Sequence, residues 1–338
     1  MCAVAALALT ACHKDPVQPD GGNQEEQIPT GDGVYNPGMH ITGVMYDDGT
    51  APETWVWQDR KLQSINQDDN CGGYTPLNVF SYNGWRMSQM VMYGDLPGTV
   101  SYAYSGDKIS GFSITSGGMP VATADVVHTG DKITHLDLDV NSEMMQLLLN
   151  MIGDMGGLGG LGGFGFKSGD SKVSFTSADV DVDLAWNGDN VSRMVMTADV
   201  VLGVTIEEIQ QVVPLDSLLG SMASFLSLLG NQELPLTVSI VDTMDYTHDS
   251  HPNPLCGLLG RVDASVLSAN NVTSMTNHGT MNAVLTITIP VIGNTVNVPY
   301  SRPIGEGMTT TYTYNYNAAG YPVEVVGDGR TTTYFYQE

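Results

Sequence analysis

The chain has 338 residues and a formal net charge of −25, from 37 acidic against 12 basic side chains. So acidic a surface repels phosphate backbones and anionic lipid headgroups, which argues against nucleic acid or a lipid headgroup surface as partner. Only 14% of residues are charged and glycine numbers 39, which suits a turn-rich β protein better than a helical one.

Met1 to Cys12 is an apolar run ending in small residues. It is too short to span a bilayer and has the length of a signal-peptide core. Leu9-Thr10-Ala11-Cys12 resembles a bacterial lipobox, so Cys12 is the expected lipid-bearing first residue of the mature protein. At about 0.8 kcal/mol per buried CH₂, two or three acyl chains make a stable membrane anchor. His13-Lys14-Asp15 comes next, and Lys14 with Asp15 resembles the surface-export signal of Bacteroides-group lipoproteins. The expected location is therefore the outer membrane, facing outwards, with its periplasmic face as the alternative. Residues 13–35 read as a disordered acidic tether, and 36–338 as a single domain. Cys2 leaves with residues 1–12. Cys71 and Cys256 form either a disulfide or two buried free thiols.

From Tyr35 onward a hairpin unit repeats. Trp57-Gln-Asp-Arg-Lys-Leu62, Tyr82-Asn-Gly-Trp-Arg-Met87 and Tyr104-Ser-Gly-Asp-Lys-Ile109 share one plan. His128-Thr-Gly-Asp-Lys-Ile133, Trp186-Asn-Gly-Asp-Asn-Val191 and the longer Tyr316-Asn-Ala-Ala-Gly-Tyr-Pro-Val323 continue it. Each sets a large ring before a polar turn, commonly with a glycine suited to positive φ, and an apolar residue to restart the alternation. Further strands are expected where alternation is strict, as in Thr286-Ile-Thr-Ile289 and Thr295-Val-Asn-Val298.

Two apolar segments interrupt the series, at about 141–168 and 205–231. The first starts as a helix carrying Met144, Leu148 and Met151, then dissolves into glycine from Gly156. That glycine density is too costly for a membrane-spanning helix. In the second, Asp216 caps an expected helix Ser217–Leu229 carrying Leu218, Met222 and Phe225. A helix that apolar must bury itself. These six residues are the candidate lining of a hydrophobic ligand site.

Other constellations are weaker. Asp179, Asp181 and Asp183 share one strand face, and Asp137 and Asp139 form a shorter ladder. Paired antiparallel, the two ladders would oppose like charges, which destabilises a sheet unless a cation intervenes. The three aspartates are the calcium candidates, and a solvated outward face is the simpler expectation. His248-Asp249-Ser-His251 is a partial metal pattern, but Pro252 and Pro254 place it in a loop. His128 and His135 are able to meet across one hairpin. Trp55, Trp57, Tyr82, Trp85, Tyr102, Tyr104 and Trp186 either pack across strands or stack on sugars. With no Gly-x-Ser-x-Gly and no cysteine beside an evident histidine, neither a catalytic residue nor a cofactor is expected.

The hairpin units resemble YD repeats, most clearly in Tyr312-Thr-Tyr-Asn-Tyr-Asn-Ala-Ala-Gly320 and Gly329-Arg-Thr-Thr-Thr-Tyr-Phe-Tyr336. Together with the lipobox, the tether and Tyr246 to Leu255, they resemble a family of Bacteroides-group surface lipoproteins. That resemblance implies a porin-like, half-barrel β fold, and it brings no activity. The expected fold is a curved antiparallel sheet of successive hairpins, open or half-barrel, with the two insertions as helices against its concave face. The expected function is a lipid-anchored structural or interaction protein without catalytic activity. The alternatives are a binder of lipid or another hydrophobic ligand, and a surface glycan-binding protein. The expected partners are the membrane, through the anchor, and a lipid, a glycan or another envelope protein.

Overall fold

The computed structural model describes residues 28–29, 31–68, 73–94, 97–141, 174–205, 232–259, 264–289 and 294–337. Sixteen strands follow one another among them. They are β1 Ile41–Tyr46, β2 Glu53–Gln58, β3 Lys61–Asp68, β4 Tyr74–Asn83, β5 Arg86–Met92, β6 Gly98–Ser105, β7 Lys108–Ser116 and β8 Met119–Thr129. The second half comprises β9 Lys132–Val140, β10 Ser174–Asn187, β11 Asn190–Val204, β12 Leu234–Pro252, β13 Asn270–Ile289, β14 Asn294–Tyr316, β15 Pro322–Gly327 and β16 Arg330–Tyr336. Every neighbouring pair is antiparallel, and β1 pairs with β16 from Ile41↔Tyr336 to Tyr46↔Thr332. The sheet is thus a closed barrel, which corrects the open or half-barrel expected from the sequence. Closure gives both terminal strands a partner and removes two edges that would otherwise present unpaired backbone groups. The two expected helical insertions, with Met144, Leu148, Met151, Leu218, Met222 and Phe225, lie outside the described residues, as do Cys12, Lys14 and Asp15.

The repeat read from the sequence is the repeat of the structure. Trp57 pairs with Leu62, Tyr82 with Met87, Tyr104 with Ile109, His128 with Ile133 and Trp186 with Val191. A bulge precedes each ring, which turns it toward the previous hairpin. The ring then hydrogen-bonds backward. Trp57 Nε1 donates to the Ile41 carbonyl at 2.7 Å, Tyr82 Oη to Leu62 at 2.7 Å, Tyr104 Oη to Met87 at 2.6 Å and Trp186 Nε1 to Ile133 at 2.7 Å. The turn glycines Gly84, Gly106, Gly130 and Gly188 all have φ of 60° to 65°, a conformation that glycine adopts without cost.

A second contact runs forward. Lys61 Nζ lies 4.7 Å from the centroid of the Trp85 ring, and Arg86 reaches the Gly106 carbonyl and the Tyr104 ring. Lys108 reaches the Gly130 carbonyl and Asp131, and Lys132 reaches Asp189 at 2.7 Å. Each cation follows its own turn and clasps the next one, so the rim is tied hairpin to hairpin.

His128 occupies the ring position of its copy but does not reach backward to a carbonyl. Its Nε2 lies 2.9 Å from Asp32 Oδ2, and the same oxygen accepts the Ile109 N–H at 2.9 Å. Asp32 belongs to a segment that packs on this rim, where Asp32 N–H donates to Asp107 O and Met87 N–H to Gly33 O. Asp32 and Tyr35, inside the stretch 13–35 expected as a tether, are buried on the barrel. Residues 253–259 and 264–269 pack on the same rim. Ala269 N–H donates to Asp189 O, Tyr35 Oη donates to Pro254 O, and Leu258, Leu259 and Val266 are buried. Cys256, within this cap, is disulfide-bonded, and Cys71 lies outside the described residues.

The strands differ greatly in length. β10 to β14 run 14, 15, 19, 20 and 23 residues, whereas β1 has 6 and β8 has 11. β14 pairs with β15 only from Tyr312 to Tyr316, so among the described residues its stretch from Asn294 to Thr311 is paired on one side, to β13. Pro299 and Pro303 lie in that stretch at the same parity, where an edge strand accommodates a missing N–H. The barrel is a short ring continued on one side by a tall wall. Both insertions join the wall at the rim opposite the cap, after β9 and after β11.

Removing one backward bond tests this account of the rim. Tyr82→Phe keeps the ring and leaves the Leu62 carbonyl without its donor, so unfolding free energy should fall by about 1 kcal/mol in urea titration.

Candidate functional site

The inner face of the tall wall is organised in cross-strand rows. Leu202, Leu236, Leu285 and Val298 form one, and Val200, Val238, Ala283 and Tyr300 form the next. Ala198, Ile240, Met281 and Arg302 follow, then Met196, Asp242, Gly279 and Ile304. All the aliphatic members are buried. The outward positions of the same strands are mainly polar, with Thr237, Ser239, Thr280, Asn282, Thr286, Asn297 and Ser301 beside Val201, Val241, Val284, Pro299 and Pro303. The wall is therefore apolar within and mainly polar without.

Among these rows the charged side chains are Asp242 and Arg302, and sequence reasoning passed over both. The signal was present: Leu234-x-Leu236-x-Val238-x-Ile240-x-Asp242-x-Met244 places an acid at the apolar parity of a strict alternation. Asp242 is 8% exposed and accepts a hydrogen bond from Asn277 Nδ2 at 3.3 Å. The Asn277 Oδ1 atom is buried and has no hydrogen-bond partner among the described residues. Gly279, directly opposite Asp242, has no room for a side chain, since a Cβ would lie 2.4 Å from the Val241 carbonyl oxygen. On the ring side of the barrel, Tyr102 Oη is also buried and unpartnered, and burial holds that phenol far above its ordinary pKa.

The acidic ladders meet in the register that the sequence reading flagged as unfavourable. Asp179 faces Asp139 on one side and Asp199 on the other, and Asp181 faces Asp137, which faces Asp125. His135 sits at the end of this patch, with Nδ1 2.8 Å from Asp183 Oδ1 and Nε2 3.3 Å from Asp181 Oδ1. Asp179 and Asp183 are exposed and Asp181 is half-buried on the outward face, and no group of three or more His, Cys, Asp or Glu able to hold a metal ion occurs among the described residues. His128 and His135 do not meet: the first faces Asp32, the second the aspartates.

His248 and His251 lie at the end of β12, not in a loop as expected, because Asp249 ties this strand end to its neighbours. Asp249 accepts from Asn271 N–H and Nδ2, from the His251 N–H and from Tyr316 Oη. His251 stacks on Tyr316 at 3.9 Å, and His248 meets Ser268 Oγ at 3.1 Å. Of the rings expected either to pack or to bind sugar, Trp57, Tyr82, Tyr104 and Trp186 make the rim bonds described above, and Trp55 and Tyr102 are buried in the core. Trp55 donates to Glu53 at 2.9 Å and Trp85 is covered by Lys61. That geometry fits packing.

No protein-family model matches this chain, and no curated protein matches it.

Two predictions follow from the charges. Asp179 opposes an acid on both sides, so Asp179→Asn should raise unfolding free energy by about 0.5–1 kcal/mol. The gain should shrink in 0.5 M salt, as screened repulsion requires. His40, stacked on Trp57 at 4.0 Å, and His248 are both held below the ordinary value near 6.5, chiefly by burial. Their contribution to stability is complete above about 6.5 and is lost as pH falls toward the folded-state values, because the unfolded chain binds the extra protons. Stability measured by chemical denaturation should therefore fall from pH 7 to pH 5, and His40→Phe, which preserves the stack, should flatten that slope.

Proposed function

We propose that this chain is a lipid-anchored, non-catalytic protein of the bacterial outer membrane whose barrel holds a hydrophobic ligand. The observation that carries the reading is the polarity of the sheet. A transmembrane barrel turns an apolar band outward to lipid and a polar lumen inward. The tall wall here does the opposite, with Leu202, Leu236, Leu285 and Val298 inside and threonine, asparagine and serine outside. Such a barrel is suited to water on its outside and to an apolar guest within, the arrangement by which larger closed barrels enclose ligands. Cap segments at one rim leave the other as the side from which the apolar insertions depart. Acylation at Cys12 provides the anchor, and Lys14-Asp15 directs the protein to the outer face, in keeping with the resemblance to Bacteroides-group surface lipoproteins.

A second reading, an interaction protein of the envelope, is favoured by the outward aspartates of β8 to β11, which present a negative face to a basic partner. Glycan binding is the less favoured reading, since the rings that suggested it are buried or engaged in rim contacts.

Cys12→Ala should move the full chain from the membrane to the soluble fraction, and unchanged membrane association would refute the anchor. The soluble variant, examined by native mass spectrometry, should carry a co-purifying amphiphile or take up an added long-chain alcohol. Bare protein that takes up neither would reject the ligand reading and leave the interaction reading.

A further inference from the structure

Charge is not spread evenly along the barrel axis. The hairpin turns of the capped rim, with the residues that flank them, hold Arg60, Lys61, Arg86, Lys108 and Lys132 against Asp59, Asp107, Asp131 and Asp189. Those cations are a large share of the 12 in the whole chain. At the opposite rim the described turns and strand ends hold Asp47, Asp48, Glu53, Asp68 and Asp328, with Arg330 beside them. Of the capped-rim cations, Lys108 and Lys132 meet carboxylates, those of Asp131 and Asp189. Arg86 reaches a carbonyl and a ring, Lys61 lies over Trp85, and Arg60 is exposed. In a chain with a net charge of −25, this rim is the end that an anionic surface repels least.

The N-terminal segment is fixed to the same rim. Gly31 lies against Asp107 in the turn after β6, and Asp32 N–H donates to Asp107 O at 3.1 Å. The Asp32 carboxylate meets His128 and accepts the Ile109 N–H, and Gly33 O accepts the Met87 N–H at 2.9 Å. Residues 31–35 are thus held by three successive hairpins and, through Tyr35 and Pro254, by the cap. Between Cys12 and residue 28 lie residues 13–27. As a flexible chain they span about 20 Å on average. That is roughly the length of one short strand of the ring. An anchor at Cys12 therefore keeps the capped rim near the bilayer and sets the other rim a barrel height further away.

We propose that the capped rim is the membrane-facing end of the barrel, where Arg60, Lys61 and Arg86 meet anionic lipid head groups. Such an attraction acts within about 8 Å at physiological salt, so it needs the rim to lie close to the surface, as the short tether allows. The acidic outward face of β8 to β11 then stands away from the head groups, and the rim from which the insertions depart is turned to the medium. This assignment rests on the Cys12 anchor proposed above and gives that anchor an orientation.

The test uses the full chain, lipidated at Cys12 and purified from membranes, with p-azidophenylalanine carrying a fluorophore in place of Ser105 or of Met119. Both positions are exposed, the first at the capped rim and the second at the opposite one. The protein is added to vesicles of phosphatidylcholine with phosphatidylglycerol, or of phosphatidylcholine alone, each containing a lipid with a quencher on its head group. Because the two rims differ in height by about 20 Å, quenching at Ser105 should be at least about twice that at Met119, and the ratio should be larger on the anionic vesicles. Arg60→Glu should lower the ratio on anionic vesicles and leave it unchanged on phosphatidylcholine alone. The comparison of vesicles needs no change to the rim cations, so it decides the matter even if that variant fails to fold. Equal quenching at both positions, or stronger quenching at Met119, overturns the orientation while the anchor stands. A ratio that is the same on both kinds of vesicle overturns the head-group contact. Protein that stays off the vesicles overturns the anchor and the orientation with it.

Discussion

The bond from each pre-turn ring back to the preceding hairpin is the contact on which the barrel rests. A single two-stranded hairpin is at best marginally stable in water, so a barrel of successive hairpins needs something that fixes each pair against its neighbour. At Trp57, Tyr82, Tyr104 and Trp186 a bulge aims the ring and its polar atom satisfies a carbonyl of the hairpin before. The cations Lys61, Arg86, Lys108 and Lys132 then reach the hairpin after. Each link is worth about a kilocalorie per mole, and their value lies in repetition. They also fix the bulge, and with it which residues face inward along the following strand.

That control of parity produces the second property of the molecule. Once the ring position is set, alternation carries most aliphatic residues of the strands to the inside and most threonines, asparagines and aspartates to the outside. The acidic patch on β8 to β11 is a consequence of this order and is tolerated because it faces water, where opposed carboxylates cost little. His135 relieves one end of it by contact with Asp181 and Asp183. The same parity leaves Asp242 and Arg302 inside, where charge is costly, and so separates them in kind from the many other acids of the chain.

The tall wall is where the molecule departs from its own repeat. The ring is built of strands of 6 to 11 residues, and a barrel of that height alone would need no segment like Leu234–Met244. The extension of β10 to β14 supplies a continuous apolar surface beyond the ring, bordered by an edge that Pro299 and Pro303 protect against pairing with another chain. The insertions depart from its rim, and the charged residues lie at its inner end.

Much of this was legible in the sequence, and for one reason: the repeat is local. A large residue, a two-residue polar turn and an apolar residue five positions on describe a hairpin completely, so Trp57-to-Leu62 and its siblings could be read directly. The strict alternation in 234–244 likewise exposed Asp242 as an inward acid to anyone counting parity. Three things only the tertiary structure decided. Closure depends on Ile41 meeting Tyr336, a pairing across nearly the whole chain that no local pattern encodes. The histidine at 128, where the other copies carry Tyr or Trp, fits Asp32, a partner 96 residues away. Finally, the conjunction of Asp242, Asn277 and Arg302 joins three strands through register. Each residue's parity belongs to its own strand, but which residues become neighbours is set by the pairing of strands, and that is a property of the whole barrel.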